Sequence, residues 1–303
     1  MVANMKPFFS VVIPTYNRSD VLSRSVDSVL SQTYQNFELI IIDNGSTDGT
    51  QQWVSDNYQD DRIIYHHQEG SGSPASPRNT GISLAKGQWI CLLDSDDRWS
   101  GDKLQHVFDS IQASKNIDVV CHNENVYIEK SDSVGRMLKC GPNSKNMYKE
   151  MLLFGNRLST SATSIKVKFL KDNKLQFNES NELATVEDYD LWLNLSRLGA
   201  RFVFLPQSLG FYTVSDSNMI FTSGLFCKNL KNLLRLHVFN FQKFEKNKQK
   251  MWELLKLRSD ICQLQYADLS ITSKIVRFIF MFFLHPVNLT KLLTGYVRRK
   301  LLR

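Results

Sequence analysis

The sequence predicts an α/β fold: a mainly parallel central sheet with helices on both faces, followed by a helical extension at the C-terminus. Three observations carry that prediction. Apolar, β-branched runs alternate with helix-spaced stripes over the first hundred residues. Those runs are continuous rather than alternating, as strands buried on both faces are. Beyond about residue 222 the periodicity is helical throughout.

Taken in order, Phe8–Ile13 (FFSVVI) reads as a buried strand that stops at Pro14. Val21, Leu22, Val26, Val29 and Leu30 recur at helical spacing, with Ser19 or Asp20 placed to cap. Phe37–Ile42 is a second strand, and Ser46-Thr47-Asp48 supplies cap chemistry for a short helix with Trp53 and Val54. Arg62–His66 is a third strand. Asn79–Lys86 predicts a helix closed by Gly87, and Trp89–Leu93 a fourth strand. Leu104, Val107, Phe108 and Ile111 form a helical stripe, and Ile117–Cys121 is a further strand. The stretch 125–180 mixes short β-like pieces with a helix near 147–154. Glu187–Leu198 is an amphipathic helix, and Arg201–Leu205 is a strand ending before Pro206.

Composition bounds the possibilities. The chain has 303 residues, 42% apolar and 22% charged, with 37 basic against 30 acidic side chains and a net charge of +7. That excludes a disordered tail, a collagen-like fibre and a small disulfide-stapled scaffold. The N-terminus shows no signal-peptide apolar region, and five cysteines without a CxxC pair fit a reduced, cytoplasmic setting. No uncharged apolar stretch is long enough to span a bilayer. Charge is uneven: residues 222–303 carry 16 basic and 4 acidic side chains, whereas 1–221 carry 21 and 26. The expected division is an α/β domain over 1–221 (halves 1–100 and 101–221) and a basic helical extension over 222–303.

In open parallel sheets, ligands bind beyond the carboxyl ends of the strands. Three polar clusters fall there: Pro14-Thr15-Tyr16-Asn17-Arg18, Asp43-Asn44-Gly45-Ser46 and Asp94-Ser95-Asp96-Asp97. Pro14, Thr15, Asn17, Arg18, Asp43, Asp94 and Ser95 of these clusters, with Arg78 near the same edge, are the candidate ligand contacts. Three carboxylates within four residues repel one another unless a cation balances them, and oxygen ligands without His or Cys suit Mg²⁺ or Mn²⁺. Such an ion completes its shell with phosphate oxygens, and Arg18 and Arg78 stand ready to neutralise further phosphate charge. Gly70-Ser71-Gly72-Ser73-Pro74-Ala75 fits a dinucleotide fingerprint, but it follows the third strand and Pro74 interrupts the turn. A flexible loop closing near the phosphates is the better use of those glycines.

SVVIPTYNR, LIIIDNGSTDGT, PRNTGISLAKGQWICLLDSDD and VEDYDLWLNL, in this order over residues 9–212, resemble the family 2 glycosyltransferases. The resemblance implies the Rossmann-like GT-A fold and inverting transfer of a sugar from a nucleoside-diphosphate donor with a divalent metal. It implies that Thr15, Asn17 and Asp43 hold the nucleoside, that Arg78 lies by the diphosphate, that Asp94 and Asp96 bind metal, and that Asp188 is the catalytic base. Glu187 would raise the Asp188 pKa by like-charge repulsion, opposed by the helix N-terminus. Glu187, Trp192 and Asp97 belong to the acceptor side or the shell behind it, Trp192 being more readily core than a sugar-stacking platform. The chain has no QxxRW sequence, so transfer is expected to be non-processive. Where many relatives carry Y-R-x-H it reads Tyr212-Thr213-Val214-Ser215.

Past Pro286, apolar residues at helical spacing are flanked by Lys291, Arg298, Arg299, Lys300 and Arg303, which suits an anionic membrane surface. The expectation is a peripheral protein on the inner face of the cell membrane, bound through 270–303, with a saccharide or lipid-linked acceptor and no nucleic-acid partner. The other reading of this tail is a helical extension packed on the core. Two other classes stay open: a nucleotidyltransferase-like enzyme, and a nucleotide-sugar-binding module without turnover. Oligomeric state is not encoded legibly.

Overall fold

A computed structural model describes residues 6–114, 116–215 and 224–266, with side chains as far as Asp260. The described chain forms two compact units. The first contains a nine-stranded mixed sheet: β1 (Phe9–Thr15), β2 (Phe37–Asp43), β3 (Ile63–His67), β4 (Trp89–Leu92), β5 (Arg98–Trp99), β6 (Val119–Ile128), β7 (Ser133–Leu138), β8 (Thr163–Lys166) and β9 (Phe202–Val214). Strand order is β3-β2-β1-β4-β8-β6-β9-β5, with β7 paired to β6. The first four strands in that order are parallel; β8 enters antiparallel between β4 and β6, and β6 and β9 are again parallel.

Its helices are α1 (Leu22–Leu30), α2 (Thr50–Asn57), α3 (Ala75–Leu84), α4 (Lys103–Ala113) and, after a helix of the other unit, α6 (Val167–Asp172). Both faces of the parallel strands are buried. Phe9, Val11, Ile13, Leu39 and Ile41 pack with Leu22, Val26 and Val29 of α1, Val54 of α2 and Leu104 and Val107 of α4. Val12 points the other way, beneath α3, where a Cβ on Gly81 would come within 2.4 Å of a Val12 methyl.

Four local expectations are corrected. Pro14 does not end β1, which runs to Thr15. Val12 accepts the Leu93 N–H at the limit of the β4 pairing, and Pro14, two residues on, turns its missing donor toward that same, now unpaired side. Neither the Ser19 nor the Asp20 side chain caps α1, whose first N–H groups turn back to the Arg18 carbonyl. Helix α3 starts at Ala75 rather than Asn79, because Pro77 is tolerated in a first turn, and it ends before Gly87. Gly87 instead lets the backbone pass over Ser10, whose Oγ a Cβ would meet at 2.6 Å. Finally, β9 continues through Pro206, where a register shift against β6 absorbs the residue without a donor.

The second unit is helical: α5 (Met147–Phe154), the start of α7 (Glu187–Arg197), α8 (Gly224–Leu236), a π-turn (His237–Phe241) and α9 (Lys248–Tyr266). Among the described residues, no helix is long and apolar enough to cross a membrane.

Candidate active site

The parallel order β2-β1-β4 brings the three polar strand ends side by side on one sheet edge. Thr15 pairs with Asp43 in register, the Asn44 N–H donates to the Thr15 carbonyl (2.9 Å), and Leu93 donates to Val12 (3.1 Å), so Asp94 emerges next to the end of β1. Thr15 is buried, and its Oγ1 has no hydrogen-bond partner among the described residues.

Asp43 is fully buried. The Ser46 N–H donates to its Oδ1 (2.9 Å), while the Tyr65 hydroxyl and His67 Nδ1 (3.3 Å) reach Oδ2. Burial works against ionisation, yet the Ser46, Tyr65 and His67 donors overcome it and hold the carboxyl below its usual range. Asn17 has a positive φ of 50°, with its Oδ1 accepting the Thr47 N–H (2.8 Å) and its own N–H donating to Ser46 Oγ (2.8 Å). It thus ties the first strand-end loop to the second.

The glycine-rich loop is not free, as flexible closure would require. Asn44 Oδ1 accepts from Ser71 N–H (3.2 Å), Ser71 Oγ (3.1 Å) and Gln68 Nε2 (3.0 Å). Gly45 has φ +86°, and a Cβ there would stand 2.7 Å from the Gly70 nitrogen, so the two loops touch backbone to backbone.

Arg78, on the first turn of α3, is buried under the sheet edge. Its Nη2 donates to Asp94 Oδ1 (2.6 Å), and its guanidinium lies over the Phe177 ring at 5.3 Å. Asp94–Asp97 is a tight turn closed by the Asp97 N–H on the Asp94 carbonyl (3.1 Å), with Ser95 and Asp96 at its tip. Burial, and then the Asp94 charge, push the Asp96 carboxyl up, opposed by Arg18 and Arg78. Asp97 is buried and its acidity is suppressed further, by burial and then by Asp96, Glu124 and Asp94. Both of its oxygens are engaged: Ser161 Oγ donates to Oδ2 (2.6 Å) and the Thr213 N–H to Oδ1 (2.7 Å). Ser161 Oγ also accepts the Asp94 N–H (3.1 Å). Asp97 therefore clamps the acidic turn to β9 instead of facing an acceptor.

Two partly exposed carboxylates, the charge of Asp94 raising the proton affinity of Asp96, with no nitrogen or sulfur ligand in the cluster, fit a hard divalent cation. Among the described residues no three side chains form a ready-made metal cage. An ion on Asp94 and Asp96 would take its other oxygens from the donor and water.

Asp188, Glu187 and Trp192 lie in the second unit. Asp188 is half-buried on the first turn of α7; its Oδ1 accepts the Tyr189 N–H (2.6 Å), and Asn156 Nδ2 lies 3.5 Å from Oδ2. Glu187 turns back to accept the Thr185 N–H (2.9 Å), bracing the helix start. Trp192 is completely enclosed, so no saccharide can stack on it; its part is packing. Tyr65, His67 and Ser161 escaped the strand-end reading, and Asn44 fell within the second polar cluster without being singled out. The period-2 alternation of β3, which puts Tyr65 and His67 on one face with Asp43 opposite His67, was the available signal for the first two.

The model of "Glycosyl transferase family 2" matches residues 10–166, and that of "Glycosyl transferase family group 2" matches 89–289. The chain belongs to glycosyl transferase family 2. This family 2 chain is 30% identical over 210 residues to the amylovoran biosynthesis glycosyltransferase AmsB of Erwinia amylovora, covering 67% of this chain and 69% of that one. It is 32% identical over 193 residues to WfaP of Escherichia coli, a UDP-Glc:alpha-D-GlcNAc-diphosphoundecaprenol beta-1,3-glucosyltransferase (63% and 71%). It is 40% identical over 127 residues to glycosyltransferase GlyG of Streptococcus pneumoniae, where the match covers 41% of this chain and only 42% of the relative. In fold it is similar to S. aureus TarS 1–349 crystallised with UDP-GlcNAc, with a TM-score of 0.64 at 20% identity over 89% of this chain and 78% of that one. Against longer TarS the chain spans 44% of the structure at a TM-score of 0.61. These likenesses establish the GT-A architecture expected above.

Proposed function

We propose that this protein is a non-processive, inverting glycosyltransferase that moves a sugar from a nucleoside-diphosphate donor, UDP foremost, to a hydroxyl of a saccharide or lipid-linked acceptor. The observation that carries this reading is the meeting of Thr15, Asp43, Arg78 and the Asp94–Asp97 turn on one sheet edge, in a chain of this family. The UDP donor and lipid-linked acceptor are supported by the likeness to WfaP, a UDP-Glc:alpha-D-GlcNAc-diphosphoundecaprenol beta-1,3-glucosyltransferase.

Asp43, kept ionised by its three donors, accepts hydrogen bonds from the nucleoside, beside the Thr15 hydroxyl. Asp94 and Asp96 would hold Mn²⁺ or Mg²⁺, which when bound would supply Lewis-acid neutralisation of the departing diphosphate. Arg78, already paired with Asp94, adds positive charge beside the same oxygens. Asp188 takes the proton of the attacking hydroxyl, help typically worth ~10²–10⁴-fold.

The test is a panel of nucleotide sugars with and without Mn²⁺, read by thermal shift and by release of nucleoside diphosphate. Asp96→Ala is expected to lose the Mn²⁺-dependent stabilisation by donor. Asp188→Asn is expected to keep that stabilisation and lose transfer by ~10²-fold or more. An Asp188→Asn protein that transfers at the native rate refutes the base, and a native protein that no donor stabilises refutes the reading as a whole.

A further inference from the structure

The α7 segment opens on Glu187-Asp188-Tyr189-Asp190. Residues two apart on a helix leave it about 200° around the axis from one another, so Asp188 and Asp190 point nearly opposite ways. Asp190 points inward and is buried, with Oδ1 2.9 Å from Nε2 of His237. His237 has no exposed surface, and its Nδ1 is 3.1 Å from the Tyr148 hydroxyl on α5. A carboxylate only accepts, so Nε2–H donates to Asp190, and Nδ1 shares the second bond with the Tyr148 hydroxyl.

The position of His237 in the chain is also unusual. It opens the π-turn that follows α8, closed by the Gln242 N–H on the His237 carbonyl (2.9 Å). Such insertions recur at functional sites because they re-aim one side chain. The neighbouring Tyr189 hydroxyl donates to the Met151 carbonyl (2.6 Å), a second tie from the same helical turn to α5.

Apolar packing would hold these helices together equally well, and a buried polar row is often no more stabilising than hydrophobic residues of the same volume. Directional bonds do what apolar contacts do not: they fix the rotation of the helix about its own axis. We propose that His237 is a positioning residue for the general base, locking the first turn of α7 through Asp190 and Tyr148 so that Asp188 keeps one direction. The inference rests on the assignment of Asp188 made above.

The test uses the full chain, UDP with Mn²⁺ for affinity by calorimetry, and the UDP-sugar that turns over in the nucleotide-sugar panel for rates. His237→Leu is expected to lower kcat by ~10²-fold while the UDP affinity and the donor KM stay within about twofold, since a small misdirection of a reacting group costs about that much. His237→Gln, whose Nε2 reaches Asp190 as the imidazole does, is expected to recover most of the loss. A folded His237→Leu with native kcat, or one that loses UDP affinity in parallel with kcat, overturns the proposal. If His237→Leu does not fold by circular dichroism, Tyr148→Phe carries the test: kcat falls several-fold at constant UDP affinity, and an unchanged kcat overturns the proposal. Asp188→Asn separates the two readings. If it is inactive while His237→Leu runs at the native rate, positioning alone fails; if it is fully active, the base and its positioning fall together.

Discussion

Behind the acidic turn lies a buried ionisable group outside the donor-binding residues. Glu124, on β6, is fully buried; burial and then the Asp94 charge raise its pKa to about 7, against a Ser159 hydroxyl and the Lys103 ammonium. Lys103 is itself enclosed, 3.2 Å from Ser164 Oγ and 3.6 Å over the Trp99 ring, and burial, joined by Lys103, lowers His122 to about 3. The folded protein binds the Glu124 proton more tightly than the unfolded chain does. Its contribution to stability is therefore complete below about pH 4.5 and is lost as pH rises through about 7. Glu124→Gln removes that titration. In metal-free buffer the variant is expected to gain on the native protein between pH 5 and pH 8, by on the order of 3 kcal/mol, measured by urea unfolding at both values. An equal difference at the two pH values counts against it. The strand-end rule made Asp43 and Asp94 legible, because each directly follows an apolar run. Glu124 and Ser161 were not legible, nor was the contact of Lys103 with Ser164, since each matters through partners tens of residues away that sheet pairing brings close.

At the scale of elements, the seat of α3 on β1 decides where Arg78 stands. Gly81 is one turn beyond Arg78, and a methyl there would stand 2.4 Å and 3.1 Å from the two Val12 methyls. Helix propensity favours Ala over Gly by ~1 kcal/mol, but overpacking a rigid strand costs ~1–3 kcal/mol, so the clash prevails. Gly81→Ala is expected to lower stability by about 1–2 kcal/mol in urea and to weaken donor binding, because the lifted helix carries Arg78 away from Asp94. Val12→Ala in the same chain vacates the space, and the double variant is expected to be more stable than the sum of the single effects predicts. Additive losses would refute the packing argument. The parallel strands β1, β2 and β4, and α5 near 147–154, were readable because period and punctuation are local. The antiparallel entry of β8 was not, because its place between β4 and β6 is set by pairing with residues some 40 and 70 positions earlier in the chain.

At the scale of the whole chain, the compact helical unit draws on 144–156 and 178–193 as well as the stretch from 224, so the chain passes repeatedly between sheet and helical unit. Composition turns basic only near 222: 144–156 is close to neutral, and 178–193, with five acidic and no basic side chains, carries the opposite sign, so charge does not group the three stretches as one unit. The strongest charge signal falls on 270–303, outside the described residues, with seven basic and no acidic side chains among Phe, Ile and Leu. Attraction of such a segment to an anionic leaflet amounts to ~1 kcal/mol per basic residue near the surface, and salt screens it within a Debye length of ~8 Å at physiological ionic strength. Apolar insertion, by contrast, is indifferent to salt or strengthened by it. The full chain is expected to co-sediment with vesicles containing phosphatidylglycerol and not with purely zwitterionic ones. At about 1 M NaCl, where the screening length falls to ~3 Å, most of that binding should be lost. Removal of 270–303 should abolish it while the thermal shift with donor and Mn²⁺ is retained. Equal binding to both kinds of vesicle would assign the association to the apolar residues, and no binding to either would leave the basic tail without a membrane role.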